Sequence, residues 1–236
     1  MNEAELKTLC AESETKLNEL FNEWEQAHKR GGYENFIRDG IVSPKNWYKQ
    51  KTPKICYLLK EGYTNDKGYD LAECLRNNEP WHMWKKVSVW TESIFQAFGM
   101  EKEYNQEYII GNLRKNTDSI AVINIKKSNG KSESDYKEIE DFAVKDRDFL
   151  YRELEIINPD IIVCGYTSHC LRAILGEEWK NNETYMNLFG EWNGKLIIDY
   201  YHPAGQYPNR VNYYALMSIC RVAVKKYDFL KKFVQY

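Results

Sequence analysis

The chain has 236 residues, a length that suits one large domain or two small ones. Hydrophobic residues at 43% are enough for a real core, while charged residues at 29% leave no run of the ~20 apolar residues that a helical membrane span needs. A net charge of -2 and a pI near 6.2 argue against a chain that grips nucleic acid through overall basicity, and leave room only for a local basic patch.

In chain order, residues 3–29 read as one helix, with Leu6, Leu9, Leu17, Leu20, Phe21 and Trp24 at helical spacing and Gly31-Gly32 as the stop. The acidic, amphipathic start has no basic segment followed by an apolar run, so no signal peptide is expected. Residues 33–53 read as an irregular connection. Ile55–Leu59 is a short continuous apolar run, the pattern of a buried parallel strand. A polar stretch covers 61–80. Trp84, Val87, Trp90, Ile94, Phe95 and Phe98 then mark an amphipathic helix that ends at Gly99.

Ser119–Asn124 is a second buried strand, and 126–137 a polar loop. One helix carries Phe142, Phe149, Leu150, Leu154 and Ile157, and closes before Pro159. Asp160–Gly165 is a third strand, followed by a helix with Leu171, Ile174 and Leu175. Residues 179–191 read as loop or weak structure. Lys195–Tyr201 is a fourth strand that runs into His202-Pro203, and the last helix spans Asn212 to Phe233. Strands that alternate with helices imply an α/β fold, a three-layer α/β/α sandwich around a central, mostly parallel four-stranded sheet. With no linker, repeat or low-complexity tract, residues 1–236 read as a single domain with an N-terminal helical extension of about 1–50.

The six cysteines, Cys10, Cys56, Cys74, Cys164, Cys170 and Cys220, form no CxxC pair. Cys56 and Cys164 fall inside strand runs, so reduced core thiols in a cytoplasmic protein are expected rather than a metal or iron–sulfur site.

In an open parallel sheet, ligands lie beyond the carboxyl ends of the strands. Here the first strand exits into Lys60-Glu61-Gly62-Tyr63-Thr64-Asn65 and the second into Asn124, Lys126 and Lys127. The third exits into Gly165-Tyr166-Thr167-Ser168-His169, and the fourth into His202-Pro203-Ala204-Gly205-Gln206-Tyr207. Taken singly, Glu61 reads equally as a loop charge or helix cap, Asn124 as a turn cap, His202 as a structural histidine, and Lys126 and Lys127 as solvated charges. Their shared placement at one sheet edge favours one site.

The order and spacing of these segments resemble the uracil-DNA glycosylase superfamily over roughly residues 54–225. Leu59-Lys60-Glu61-Gly62-Tyr63-Thr64 is similar to the family's first motif, Gly-Gln-Asp-Pro-Tyr-His. IAVINIKK is similar to the strand that ends in a base-reading Asn, and INPDIIVCGYTSHCLRAILG to a scaffold strand and helix. His202-Pro203-Ala204-Gly205-Gln206-Tyr207, with Arg210 downstream, is similar to the last motif, His-Pro-Ser-Pro-Leu-Ser followed by Arg. Leu59 stands where the family has Gly, Gly62 where it has Pro, Ala204 where it has a phosphate-binding Ser, and Gln206 at its wedge Leu, with Tyr207 the better wedge. The cysteines of the iron–sulfur branch are absent.

The resemblance implies a metal-independent DNA glycosylase without cofactors. Glu61 would activate water and His202 would stabilise the departing base. Asn124, Tyr63 and Lys60 would bind the base, and Lys126, Lys127, Lys131, Gln206, Tyr207 and Arg210 would contact the nucleic acid. The expected partner is single- or double-stranded DNA with a damaged base, met by a monomer away from membranes. A relative that only binds a nucleotide, modified base or single strand stays open. So do a different hydrolase, although no GxSxG, P-loop or GxGxxG is present, and an interaction protein rich in Tyr and Trp.

Overall fold

The computed structural model describes residues 1–63, 67–99, 102–185 and 187–235. In chain order the elements are α1 (Glu3–Arg30), β1 (Gly40–Ile41), α2 (Pro44–Lys49), β2 (Ile55–Glu61), α3 (Leu71–Asn77), α4 (Met83–Phe98), α5 (Gln106–Gly111) and α6 (Leu113–Asp118). There follow β3 (Ile120–Lys126), α7 (Tyr136–Lys145), α8 (Arg147–Ile157), β4 (Ile161–Gly165), α9 (Ser168–Leu175), β5 (Lys180–Asn181), β6 (Phe189–Trp192), β7 (Lys195–Tyr200) and α10 (Asn209–Lys226).

The fold is α/β, and its sheet is wider than expected. Among the described residues, seven strands run in the order β1-β3-β2-β4-β7-β6-β5. The strands read from the sequence form its parallel centre: β2 pairs in parallel with β3 and β4, and β4 with β7. Antiparallel β1 and the β6–β5 pair extend it at either edge.

Continuous apolar runs mark the central strands because both faces are buried. Cys56 and Leu58 of β2 join one core with Leu17, Phe21 and Trp24 of α1, Phe142 of α7, Leu154 of α8 and Leu171 of α9. Ile55, Tyr57 and Leu59, pointing the other way, join a second core with Leu75 of α3, Trp90 and Ile94 of α4, and Leu216 and Cys220 of α10. Each fully buried Leu or Ile contributes about 1.5–3 kcal/mol, so the two cores hold helices on both faces. No helix among the described residues is long and apolar enough to cross a membrane.

Several boundaries differ from the sequence reading, each for a local reason. In the first 50 residues, α1 opens on an Asn2–Glu5 capping box and packs on the core, burying Leu20 and Trp24 completely. The supposed connection 33–53 carries β1 and α2, and 61–80 carries α3, capped by Asp70. The polar loop starts one residue later, because Lys126 closes β3. The helix before Pro159 is two helices, broken at Asp146. The final α-helix stops at Lys226 and continues as a 3-10 segment, Asp228–Phe233. Within 179–191 lie β5 and most of β6, and β6 returns into β7 through Asn193-Gly194. Both turn residues have positive φ, 47° and 71°, as a two-residue hairpin turn demands.

Candidate functional site

The chain leaves β2 towards β3 through α3–α6 on one face, then crosses to β4 and β7 through α7, α8 and α9 on the other. The direction of winding therefore reverses between β2 and β4, and the crevice beyond their carboxyl ends is where such a sheet binds ligands. Glycines let the segments around that crevice pack closely. A Cβ on Gly165, at the end of β4, would lie 2.7 Å from Leu59 Cδ2 and 3.3 Å from Pro203 Cδ. A Cβ on Gly130 would lie 1.8 Å from the Gly62 carbonyl oxygen, so the loops after β2 and β3 pack backbone to backbone.

A cavity of about 550 Å³ opens here, within the ~300–1,000 Å³ usual for small-molecule sites. Glu61, Asn124 and His202, distant in sequence, all line it, as do Lys60, Tyr63 and Lys131. Thr64 and Asn65 of the first motif lie outside the described residues. Sequence reasoning missed the other aromatic walls, Tyr69, Trp81 and Tyr136, and read Trp84 as core only. The one signal for them was the density of aromatic residues in a stretch too polar to be core.

Glu61 closes β2 and its side chain is almost fully buried. Its Oε2 accepts a hydrogen bond from the Lys131 backbone N–H at 3.3 Å and lies 3.1 Å from Lys126 Nζ. Lys126 Nζ also lies 3.0 Å from Glu138 Oε1, so its ammonium pairs with two carboxylates. Glu61 Oε1 is buried with no hydrogen-bond partner among the described residues. Such an oxygen is costly unless something else, a water or a ligand, meets it.

Asn124 sits in the middle of β3, with 1% of its surface exposed. Its backbone N–H and its Nδ2 both donate to Asp39 Oδ2, at 2.7 Å and 3.2 Å. Asp39 was not singled out in the sequence because it lies in a segment that reads as loop.

His202 follows β7. Its Nδ1 accepts the Ala204 backbone N–H at 3.2 Å, which leaves the proton of the neutral ring on Nε2 as a donor. Burial, with the nearby Lys60 charge, lowers its pKa to about 4. Lys60 itself lies over the Tyr136 ring, 4.8 Å from the centroid. The imidazole is therefore neutral at pH 7. Its C2 proton signal is expected to titrate with a midpoint near pH 4 in an NMR pH series, and a midpoint near 6.5 would show an open, solvated ring. Because the folded pKa lies below the unfolded one, stability declines as pH falls from about 6.5 towards 4.

Lys126 and Lys127 need correction as nucleic-acid contacts. Both are fully buried, Lys126 against Glu61 and Glu138, Lys127 against Asp39 and Glu153. Lys126 ends β3 and Lys127 follows it, and both ammoniums turn into the core on the α1, α7 and α8 side, near Phe142 and near Phe21 and Trp24, where they meet carboxylates instead of solvent. Lys131 is largely exposed and paired with Glu138 at 2.9 Å. Gln206, Tyr207 and Arg210 are exposed and outside the cavity lining, on the loop that carries His202 and at the start of α10. Tyr207 packs on Tyr201, ring centroids 4.5 Å apart, and Lys86 Nζ donates to the Gly205 carbonyl, which pins this loop.

No known family's sequence model matches the chain, and no curated protein matches it. The functional reading therefore rests on the crevice itself.

Proposed function

We propose that the chain is a DNA glycosylase of the uracil-DNA glycosylase kind, which hydrolyses the N-glycosidic bond of uracil or another deaminated base. This reading takes the two helical layers and the parallel centre of the sheet as that superfamily's sandwich. The single observation that carries it is the convergence of a carboxylate, an amide and a neutral imidazole on one aromatic-walled cavity.

An enzyme that acts on a base extrudes it from the stack and reads its exposed edge. Tyr63, Tyr69, Trp81 and Tyr136 offer faces for the ring, at ~1–3 kcal/mol for a stacked base. As the C1′–N bond breaks, its electron pair goes to the base and positive charge builds on the sugar. Glu61 Oε1, buried and without a hydrogen-bond partner among the described residues, has the spare acceptor capacity to hold the attacking water and take its proton as the C1′–O bond forms. The His202 Nε2–H meets the charge that grows on the base oxygen, a role worth roughly 3 kcal/mol. A neutral donor suits this task, because it stabilises the developing anion without holding a ground-state charge in the cavity.

A second reading has its own support. With Lys126 and Lys127 buried, the cations left for phosphate contact near the site are few, which fits a short single strand or a nucleoside better than a duplex. One experiment separates the two. Single- and double-stranded oligonucleotides carrying one uracil or one hypoxanthine are incubated with the protein, then treated with alkali. Strand breaks at the modified base are expected, greater on the single strand. No breaks on any substrate would overturn catalysis, and binding without turnover would leave the cavity as a recognition module.

A further inference from the structure

We propose that Asp39 is the positioning residue that fixes which way the Asn124 amide faces, and through it the order of donor and acceptor presented to a ligand. The inference rests on the glycosylase reading for its substrate, though the lock itself is a property of the free protein.

The observations are geometric. Asp39 is 4% exposed and lies just before β1, the antiparallel edge strand beside β3. Its Oδ2 accepts both the backbone N–H and the Nδ2–H of Asn124, and its Oδ1 accepts from Lys127 Nζ. An amide can meet a carboxylate only through its NH2 group, since Oδ1 in the same place would put two acceptors in contact. Nδ2 is therefore held towards Asp39. Oδ1 has no hydrogen bond among the described residues, and neither has the second Nδ2 proton. Lys127 is anchored on its other side by Glu153, at 2.9 Å, so the carboxylate that sets the amide is itself held from α8.

The consequence is chemical. An amide free to rotate by 180° about its terminal torsion matches a lactam edge, N–H beside C=O, as well as an amidine edge, amino group beside ring nitrogen. The two edges carry the same groups in opposite order. A clamped amide matches one order only. Specificity would then rest on a residue that touches no ligand, in a segment that reads from sequence as loop.

The test uses the full chain and the variants Asp39→Asn and Glu153→Gln. Asparagine at 39 keeps the size but can donate or accept, so both orientations of Asn124 become possible. Lys127 keeps Glu153 as its partner, which preserves the fold. By side-chain amide NMR of the free protein, the two Asn124 Nδ2 protons are expected to be well separated and slow to exchange in wild type and in Glu153→Gln. In Asp39→Asn they should move together and exchange faster. On single-stranded oligonucleotides, the ratio of kcat/KM for uracil over cytosine is expected to fall about tenfold or more in Asp39→Asn alone. Unchanged Asn124 amide signals in Asp39→Asn would overturn the proposal. Changed signals in a protein that cleaves no substrate would uphold the lock and reject the glycosylase reading instead. Equal changes in Glu153→Gln would reduce Asp39 to one member of a structural network and also overturn it.

Discussion

Replacing Glu61 by glutamine is expected to lower kcat on a uracil-containing oligonucleotide by about 10²–10⁴-fold, the usual contribution of a positioned general base. KM should change little. The substitution keeps the shape at the end of β2, and the amide oxygen can still accept the Lys131 backbone N–H. Lys126 retains Glu138 at 3.0 Å, so its ammonium stays paired and the fold holds. What the variant loses is the basicity of Oε1, the buried oxygen without a hydrogen-bond partner among the described residues. Steady-state rates on the single strand, with melting measured in parallel, decide the matter. A rate within about threefold of wild type in a folded protein would assign Glu61 to anchoring Lys126, and water activation would have to come from elsewhere.

Replacing Lys127 by methionine carries the largest expected effect on stability. Methionine fills most of the volume but leaves Asp39 and Glu153 facing each other in the core without a cation. Breaking a buried ion pair from one side costs about 3–5 kcal/mol, a melting temperature lower by about 10 °C in a chain of this size. The effect has a pH signature. Burial raises the Glu153 pKa well above the ordinary carboxylate value; Lys127 pulls it down, and the Asp39 charge pushes it further up. A folded pKa above the unfolded one means the folded state binds more protons between the two, so stability falls as pH rises through that window. Removal of Lys127 takes away the opposing influence and steepens the fall. The variant should therefore lie closest to wild type near pH 5 and furthest from it near pH 8, as measured by denaturant unfolding. A pH-independent difference would attribute the loss to packing alone.

Lys127 also shows where reading a sequence stops. Two adjacent lysines after an apolar strand have the pattern of a solvated, phosphate-binding edge, and nothing in IAVINIKK says otherwise. Burial of an ammonium is decided by partners far along the chain: Glu138 and Glu153 on α7 and α8, Asp39 before β1 and Glu61 on β2. None of these is within ten residues, so no local pattern reports them. The edge strands were missed for a related reason. β1 and β5 have two residues each and no period to detect, although Asn193-Gly194 between β6 and β7 was a legible hairpin signal.

The sequence alone determined what depends on local periodicity and chain order. Apolar runs at 55–59, 119–124, 160–165 and 195–201 specify strands buried on both faces, helices between them force those strands parallel, and the polar residues that follow must then gather at one end. That logic alone places Glu61, Asn124 and His202 at a common edge. Only the tertiary structure decided the state of each group there. The Ala204 N–H and burial make His202 a neutral donor, Asp39 turns the Asn124 amide, and Glu61 Oε1 is buried without a hydrogen-bond partner among the described residues. Protonation, orientation and desolvation arise from contacts between segments, and those contacts exist only once the chain has closed on itself.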